Sequence, residues 1–375
     1  MNIIIKEVLT RRDLKKFIDF PNRLYTGNPY YVPRLYFDEL NTLRRDKNPA
    51  FEVCDARFWL AYKDGKIAGR IAAIHDKPSI EKWGNKYLRF GWIDFIDDEE
   101  VSQALMREVE KWAKELGMTG IHGPLGFTDM DNEGMLIEGF EEVGTLATLY
   151  NYPYYPEHIE KMGFRKDVDW MEFEGKVPES IPEKIALIAE QIKEKFGLRL
   201  LKVNKAKELL PYARPLFEVL DTAYSGLYGT VPLTLKQVDA YIKQYFGFIR
   251  PGFVSLVLDS SDKVIAFGIT MPSFSRALQK CRGRLFPLGF LYILNAFRKN
   301  DLADLYLVGV EPEWQGKGIN ALIIYEIART FIRNGIKKAE TNPELELNYK
   351  VQSQWKFFEM RQHKRRRCYL KMLEE

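Results

Sequence analysis

The sequence predicts a mixed α/β protein (α+β in its strand order) built from two copies of one unit, each a mixed, largely antiparallel sheet flanked by helices. The order strand hairpin, strand, helix and strand occurs twice along the 375 residues. A chain of this length suggests two domains of roughly 150 to 200 residues each. A charged segment with two prolines, 175–184, separates the copies. We therefore predict domains at residues 1–178 and 179–375.

Each copy is expected to begin its core with a hairpin. Residues 57–75 contain two apolar segments around a Lys-Asp-Gly-Lys turn, and residues 253–271 repeat this pattern around Asp-Ser-Ser-Asp. Turn residues between β-prone segments are typical of hairpins. A further strand is predicted after each hairpin, at 87–96 and 302–310, and residues 3–8 predict a strand at the start of the chain.

One amphipathic helix follows the third strand of each copy. Apolar residues recur there at helical spacing, which predicts a face that packs on the sheet. They are Val101, Ala104, Leu105, Val109, Trp112, Ala113 and Leu116 in the first copy, and Ile319, Leu322, Ile323, Ile327 and Phe331 in the second. Gly117 and Gly335 are expected to end these helices before a short strand.

Composition restricts the classes of partner. The 56 basic and 52 acidic residues give a net charge of +4, which is too small to indicate nucleic acid or an anionic membrane as partner. The three cysteines are widely spaced, so we expect neither a disulfide framework nor a metal site, and a reducing, cytoplasmic setting. The most apolar segment, 286–297, is too short to span a bilayer. We expect a buried helix or a lid there, with a membrane-contacting element as the alternative.

Residues 310–323, VEPEWQGKGINALI, place a Gly-Lys-Gly turn between the end of a strand and the start of a helix. Glycines let the backbone approach a phosphate closely, and a helix N-terminus adds a partial positive charge. The turn therefore predicts an anion site formed by Gln315, Gly316, Lys317, Gly318, Ile319 and Asn320. The alternative is a tight connection without a ligand.

Two other phosphate motifs fit this turn less well. A P-loop needs glycine where Glu311 stands, and Ser or Thr where Gly318 stands. The dinucleotide fingerprint fits as Gly316-x-Gly318-x-x-Ala321, but residues 311–315 intervene between the strand and the glycines. Only about 35 residues follow Glu340, which is too few for the remaining units of that fold.

The turn resembles the pyrophosphate loop of the GNAT superfamily of acyl-CoA-dependent N-acyltransferases. That loop reads Gln/Arg-x-x-Gly-x-Gly/Ala after a strand ending in Val-x-Pro. The matching residues are Val310, Pro312, Gln315 and Gly318, with Asn320 as a departure at the last position. The repeated order of elements resembles two GNAT domains in tandem. The stretches DNEGMLIEGF, NYPYY and AETNPELELN are similar to a poorly characterised tandem group of that superfamily.

The resemblance implies acetyl-CoA or another acyl-CoA as cofactor, without a metal. Its pyrophosphate would bind the amides of 315–320, and its pantetheine arm would pair with the strand at Leu307, Val308, Gly309 and Val310, as an added strand does. The thioester would lie near Gly309. The acceptor would be an amine of a small molecule or peptide, which needs a base, an acid and an oxyanion donor nearby.

The usual catalytic tyrosine of such enzymes is replaced here, by Phe358 in the second copy and Ile159 in the first. Candidate catalytic residues are therefore taken from the strand and loop beyond the second helix, where a carboxylate could deprotonate an ammonium group. They are Glu340, Glu346, Asn348 and Tyr349. The alternative is that Glu340 and Glu346 are exposed on a polar loop.

The first copy is not expected to bind CoA. Acidic residues 97–100 begin its helix, where they would repel a pyrophosphate. Its role is predicted to be structural or substrate-recognising, with Asn132, Glu133, Tyr154 and Tyr155 as candidate substrate-binding residues. The tyrosines could equally anchor a proline-rich turn in the core.

Two other functions remain open from the sequence. Fem-type aminoacyl transferases also use two GNAT-like domains. In such an enzyme the basic residues Arg361 and Lys364 to Arg367 would contact phosphates. The same residues could instead contact the CoA 3'-phosphate. They could also form a solvated edge. Without the usual tyrosine, the chain could instead be a non-catalytic acyl-CoA sensor. Nucleic-acid and membrane partners are not expected. The acceptor, the acyl length and the oligomeric state are not determined.

Overall fold

The computed structural model describes residues 2–374, apart from the side chains of Lys356 and Phe357. In the first half, the strands are β1 Ile3–Glu7, β2 Cys54–Lys63, β3 Lys66–Asp76, β4 Tyr87–Phe95, β5 Gly120–Gly123, β6 Met135–Glu138 and β7 Arg165–Lys176. The helices are α1 Arg11–Leu24, α2 Tyr36–Thr42, α3 Lys77–Trp83, α4 Glu99–Glu115 and α5 Tyr154–Lys161.

The second half repeats much of this order. Its helices are α6 Glu183–Phe196, α7 Leu210–Tyr224, α8 Leu235–Tyr245, α9 Ser275–Cys281, α10 Gly289–Arg298, α11 Ile319–Arg333 and α12 Tyr349–Gln352. Its strands are β8 Arg199–Leu200, β9 Val254–Leu258, β10 Val264–Pro272, β11 Leu302–Val310, β12 Lys338–Thr341, β13 Glu344–Leu345 and β14 Met360–Met372.

The predicted repeat of elements is confirmed. The hairpins are β2–β3 and β9–β10, the third strands are β4 and β11, and the helices that follow are α4 and α11. Asp64 and Gly65 form the first turn with φ angles of 49° and 76°, which a two-residue hairpin turn of this type requires. Gly117 and Gly335 also have positive φ, 66° and 71°, just after each helix.

The strands form one continuous sheet in the order β1-β2-β3-β4-β5-β14-β7-β12-β11-β10-β9-β8, with β13 on β7 and β6 on β14. The two halves exchange their last strands. β14, the last strand of the second half, lies between β5 and β7 of the first half, and β7, the last strand of the first half, pairs with β12 of the second. Neither predicted domain therefore completes its sheet with its own residues, and the division at residue 178 stays a prediction.

A buried ion network joins β7 to β14. Lys364 lies opposite Glu172 in the strand register. Its Nζ is 3.0 Å from a Glu172 oxygen and also donates to Glu340 on β12. Arg366 donates through Nε to the other Glu172 oxygen. Burial alone would raise the pKa of Glu172, but the charges of Arg366 and Lys364 lower it to about 2.

The basic segment 361–367 is consequently not a solvated edge. Lys364 and Arg366 are buried, which contradicts that expectation and removes them as phosphate contacts. Arg365 and Arg367 bind Asp169 of β7, and Arg361 binds acidic residues on the surface. The expectation was wrong because β7, which lies about 200 residues earlier in the chain, places an acidic side chain beside each of these cations.

The apolar segment 286–297 forms the end of a loop and most of α10. It was expected to be a buried helix or a lid, but only one side of α10 is buried, through Gly289, Ile293 and Ala296. The other side is exposed to solvent. No helix among residues 2–374 is both long enough and apolar enough to cross a bilayer.

We expect Lys364→Ala to reduce the free energy of unfolding by about 3–5 kcal/mol, because Glu172 would lose one of its two cations inside the protein. Urea unfolding measures this change. The matched control is Lys338→Ala, which removes a lysine whose ion pair with Glu174 is solvent-exposed and should cost no more than about 1 kcal/mol. Equal costs for the two variants would contradict a structural role for the buried network.

Candidate active site

The two parallel strands β11 and β12 separate partway along their length. They pair from Leu302 opposite Lys338 to Leu305 opposite Thr341. Beyond that point, alternate carbonyls of β11 accept hydrogen bonds from side chains: Tyr306 from Asn342 at 3.0 Å, Val308 from Tyr224 at 3.0 Å and Val310 from Gln315 at 3.2 Å. Residues that alternate along a strand direct their backbone groups to the same side. This edge of β11 is therefore turned away from β10.

A cavity of about 1280 Å³ opens along this edge. From the second half it is lined by β11, the glycine turn, and parts of α7, α8 and α11; from the first half it is lined by α2 and by residues 129–133. Apolar side chains predominate. The cavity thus depends on both halves, and the strand exchange described above fixes their relative positions.

The glycine turn lies at one end of the cavity. Gly316 and Gly318 have φ angles of 76° and 84°, which favour glycine. Gln315 to Gly318 are exposed. Gly318 is the N-cap of α11, no side chain caps this helix, and its first turn contains no acidic residue. The first N–H groups of this 15-residue helix thus have no side-chain cap and carry a partial positive charge. Within the turn itself, the Ala321 amide donates to the Gly318 carbonyl at 2.9 Å.

The corresponding helix start in the first half is closed. Asp98 caps α4 by accepting hydrogen bonds from the amides of Glu100 and Val101, and it also binds Lys63. The end of β4 is covered as well, since Tyr154 donates to the Phe95 carbonyl at 2.6 Å and the Phe95 amide donates to Tyr155 at 3.0 Å. The difference from the second half is that α11 has no side-chain cap and that the amide as well as the carbonyl at the end of β4 is bound by a tyrosine.

Glu344 is a carboxylate that faces the cavity beyond β12. Trp355 Nε1 donates to both of its oxygens, at 2.9 and 3.1 Å. Burial raises the pKa of Glu344 to about 8. Such a carboxylate is a stronger base than an exposed one and still ionises near neutral pH.

Tyr224 places a hydroxyl on the edge of β11, where it donates to Val308. Burial raises the pKa of Tyr224, and the nearby charges of Asp129 and Glu344 act in the same direction. Its hydroxyl therefore stays protonated through neutral pH. Of the groups beside the cavity, Tyr224 and Glu344 form a proton donor and a proton acceptor close to the same strand.

The structure brings many of the predicted site residues to this cavity. Those that line it are Leu307, Val308, Gly309, Val310, Gln315, Gly316, Gly318, Ile319, Asn320, Asn132, Glu133 and Asn348. Burial and the charge of Asp129 raise the pKa of Glu133 to about 8. Nδ2 of Asn132 is buried without a hydrogen-bond partner among the described residues. Lys317 lies over the Trp314 ring, 4.8 Å from its centre.

Other predicted residues lie away from the cavity. Glu340 is held by Lys364 in the buried network. Glu346 accepts from Lys166 at 2.7 Å and from the Asp169 amide at 3.2 Å. Tyr349 is exposed at the start of α12. Tyr154 and Tyr155 pack in the first half, as the structural alternative for them anticipated. The geometry gives none of these five a contact with the cavity.

Glu344 and Tyr224 were missed by the sequence interpretation. For Glu344 the sequence carried no distinguishing signal, because residues two apart in an extended segment face the same side. Glu344 and Glu346 differ because β13 ends at Leu345, and Glu346 beyond it binds Lys166 and the Asp169 amide. Tyr224 had no signal either, since it lies about 80 residues before β11 in the chain. The replaced tyrosine position Phe358 follows a short 3-10 turn instead of lying in a long helix.

Two groups of side chains have the spacing of metal ligands among the described residues. They are His122 with Asp167 and Cys368, and Glu172 with Glu340 and His363. In the second group, Lys364 and Arg366 already neutralise the carboxylates. In the first, the Tyr228 hydroxyl binds Asp167 and lies 3.2 Å from His122. Neither group faces the cavity.

Comparison with known proteins gives relatives of the whole chain. Protein YghO of Escherichia coli is 28% identical over 380 residues, covering 99% of this chain and 95% of the relative. A bacterial ceramide synthase of Caulobacter vibrioides is 26% identical over 317 residues, covering 82% of this chain and 80% of the relative. No protein-family model matches the sequence.

Among solved structures, a tandem GNAT protein from the clavulanic acid biosynthesis pathway superposes with a TM-score of 0.58 at 11% identity. The match covers 100% of this chain and 99% of that protein. At this identity the similarity concerns the fold. It matches the duplicated order of strands and helices described above.

Proposed function

We propose that this chain, which has a tandem GNAT fold, is an acyl-CoA-dependent N-acyltransferase with one acyl-CoA site, in its second half. The observation that carries the proposal is the accessible, uncapped start of α11 at the end of a cavity that follows the edge of β11. A helix N-terminus with glycines suits a pyrophosphate, and a strand edge suits an extended pantetheine arm.

The residues of the turn fit a diphosphate in charge and in space. The amides near Gly316, Gly318, Ile319 and Asn320 would hold it. Gly318 has a φ angle of 84°, which favours glycine, and a Cβ atom there would lie 2.5 Å from Ile192 Cδ1 on α6, so that side chain would have to shift. An acyl-CoA bound there supplies an activated acyl thioester. The first half has no equivalent accessible helix start at α4, which supports a single site.

The size and lining of the cavity suggest an amphiphilic acceptor. Ligand pockets commonly measure about 300–1,000 Å³, and this cavity is larger, at about 1280 Å³. A ceramide is the amide of a long-chain amino alcohol, so the name of the Caulobacter relative is consistent with N-acylation of such an amine. We propose a primary amine attached to an apolar chain as acceptor. Glu133 and the unpaired Asn132 amide would bind its polar part.

The roles of the chain's own residues follow from their protonation. Glu344 in its ionised form accepts the proton that the attacking amine loses. Tyr224 donates a proton to the departing thiolate. A backbone N–H on the accessible edge of β11 would stabilise the oxyanion. We further propose a cytoplasmic setting, because unpaired cysteines suit a reducing compartment.

The experiment for this function measures free thiol release from acyl-CoAs of increasing chain length, with and without an added amine. Long-chain amino alcohols and short water-soluble amines are compared at equal concentration. We expect release that depends on the amine and is faster with the long-chain acceptors. Saturable CoA binding without turnover of any amine would show a sensor instead, and would overturn the enzymatic proposal.

We expect Glu344→Gln to lower kcat by about 10²- to 10⁴-fold while CoA affinity stays unchanged. In the unaltered chain, kcat/KM should rise with pH up to about 8, since Glu344 acts only when deprotonated and its pKa is raised to about 8. The variant should lose this rise. Glu346→Gln removes a carboxylate that binds Lys166 and the Asp169 amide outside the cavity; it is the matched control and should retain activity. The reverse result would assign the base to Glu346.

Tyr224→Phe tests the proton donor in the same assay. The expected result is a decrease in kcat of about 10²-fold or more, with a smaller change in KM. Thioesters with better leaving groups need less protonation, so an aryl thioester donor should partly restore the rate. Equal losses with both donors would indicate that Tyr224 only supports β11 through its bond to Val308.

We expect Gly316→Asp to lower CoA affinity at least tenfold, because it places a carboxylate beside the pyrophosphate. Two like charges about 4 Å apart repel by about 1 kcal/mol in water and by more near a protein surface. A side chain on Gly316 meets nothing within 4 Å, and Asp tolerates positive φ. Gly316→Asn, with the same shape and no charge, is the control. Calorimetric titration with CoA should separate the two variants.

A further inference from the structure

We propose that the segment 285–299 docks this protein on the surface of a bilayer that contains anionic lipids. Residues 286–297, which form most of it, were considered above as a buried helix, a lid or a membrane-contacting element, and a membrane partner was not expected from the net charge. In the structure, α10 buries the side that carries Gly289, Ile293 and Ala296 and exposes the other side to solvent.

The exposed side chains of residues 286–294 are apolar. Phe286 is 82% exposed, Leu288 64%, Leu291 50% and Leu294 48%, and Phe290 and Tyr292 lie beside them, also exposed. The Phe286 and Phe290 rings contact each other, with centres 6.2 Å apart. Large apolar side chains grouped on one short helix are unusual on a free surface. Such a face is typical of helices that lie in the interface of a membrane.

The charges around this face are complementary to anionic headgroups. Residues 273–300 contain six basic residues and no acidic one: Arg276, Lys280, Arg282, Arg284, Arg298 and Lys299. Two of the six are neutralised, since Arg284 binds Asp19 and Arg276 binds Asp301. Arg282, Arg298 and Lys299 are exposed and have no ion pair among the described residues. Basic residues beside an exposed apolar face strengthen binding to anionic lipid.

The protein side of α10 connects this face to the cavity. Ile293 and Ala296 belong to an apolar cluster that also contains Met271 and Leu35, with Tyr306 packed against it. Met271, Leu35 and Tyr306 line the cavity. A membrane on the outer side of α10 would therefore be separated from the cavity by α10 and this apolar cluster.

Vesicle co-sedimentation of the full chain tests this docking. We expect binding to vesicles of equal parts phosphatidylglycerol and phosphatidylcholine, weaker binding as salt is raised, and little binding to phosphatidylcholine alone. The variant Leu291→Gln with Leu294→Gln should bind the anionic vesicles at least tenfold more weakly. Leu187→Gln with Leu235→Gln changes two exposed leucines elsewhere and should bind as the unaltered chain does.

The outcomes separate this inference from the proposed function. CoA titration of each variant checks folding and the turn independently of lipid, so a chain that binds vesicles but not CoA would retain the docking site and lose the enzymatic proposal. Absence of binding to anionic vesicles would overturn the docking. Normal vesicle binding by the Leu291 and Leu294 variant would also overturn it. So would a different result: the unaltered chain does not bind vesicles but forms a dimer in sedimentation velocity, and the variant is a monomer.

Discussion

The pairing of β14 with β7 is the constraint on which the rest of the structure depends. It carries the C-terminal strand into the sheet of the first half and leaves β7 to complete the sheet of the second. Glu172, Lys364 and Arg366 lie at its centre, where each charge has an opposite partner away from water. A buried charge without its partner is costly, so this register is strongly specified. The cavity exists because the exchange holds residues 129–133 against the second half.

The two halves use the same order of elements for different purposes. In the first, Asp98 satisfies the start of α4, and the hydroxyls of Tyr154 and Tyr155 cover the end of β4. In the second, a glycine turn leaves the start of α11 accessible and β12 separates from β11. A helix N-terminus can be satisfied by a protein carboxylate or by a ligand phosphate, but not by both. One copy is thereby closed and the other accessible.

The apolar lining of the cavity also limits the chemistry proposed for the site. Burial among the side chains that line the cavity raises the pKa values of Glu133 and Glu344. The apolar acceptor that we propose would bind in the same apolar surroundings. The exposed apolar side of α10 extends that environment to the surface of the molecule.

Local sequence patterns predict the elements that depend on neighbours along the chain. The hairpins, the third strands, α4 and α11, and the glycine turn at Gln315–Asn320 could all be predicted, because turn residues and apolar spacing are local signals. Tertiary structure alone decided the strand exchange, the burial of Lys364 and Arg366, and the position of Glu344 beside the cavity. Those outcomes depend on partners such as Glu172 and Tyr224 that lie far away in the chain, and no local pattern carries that information.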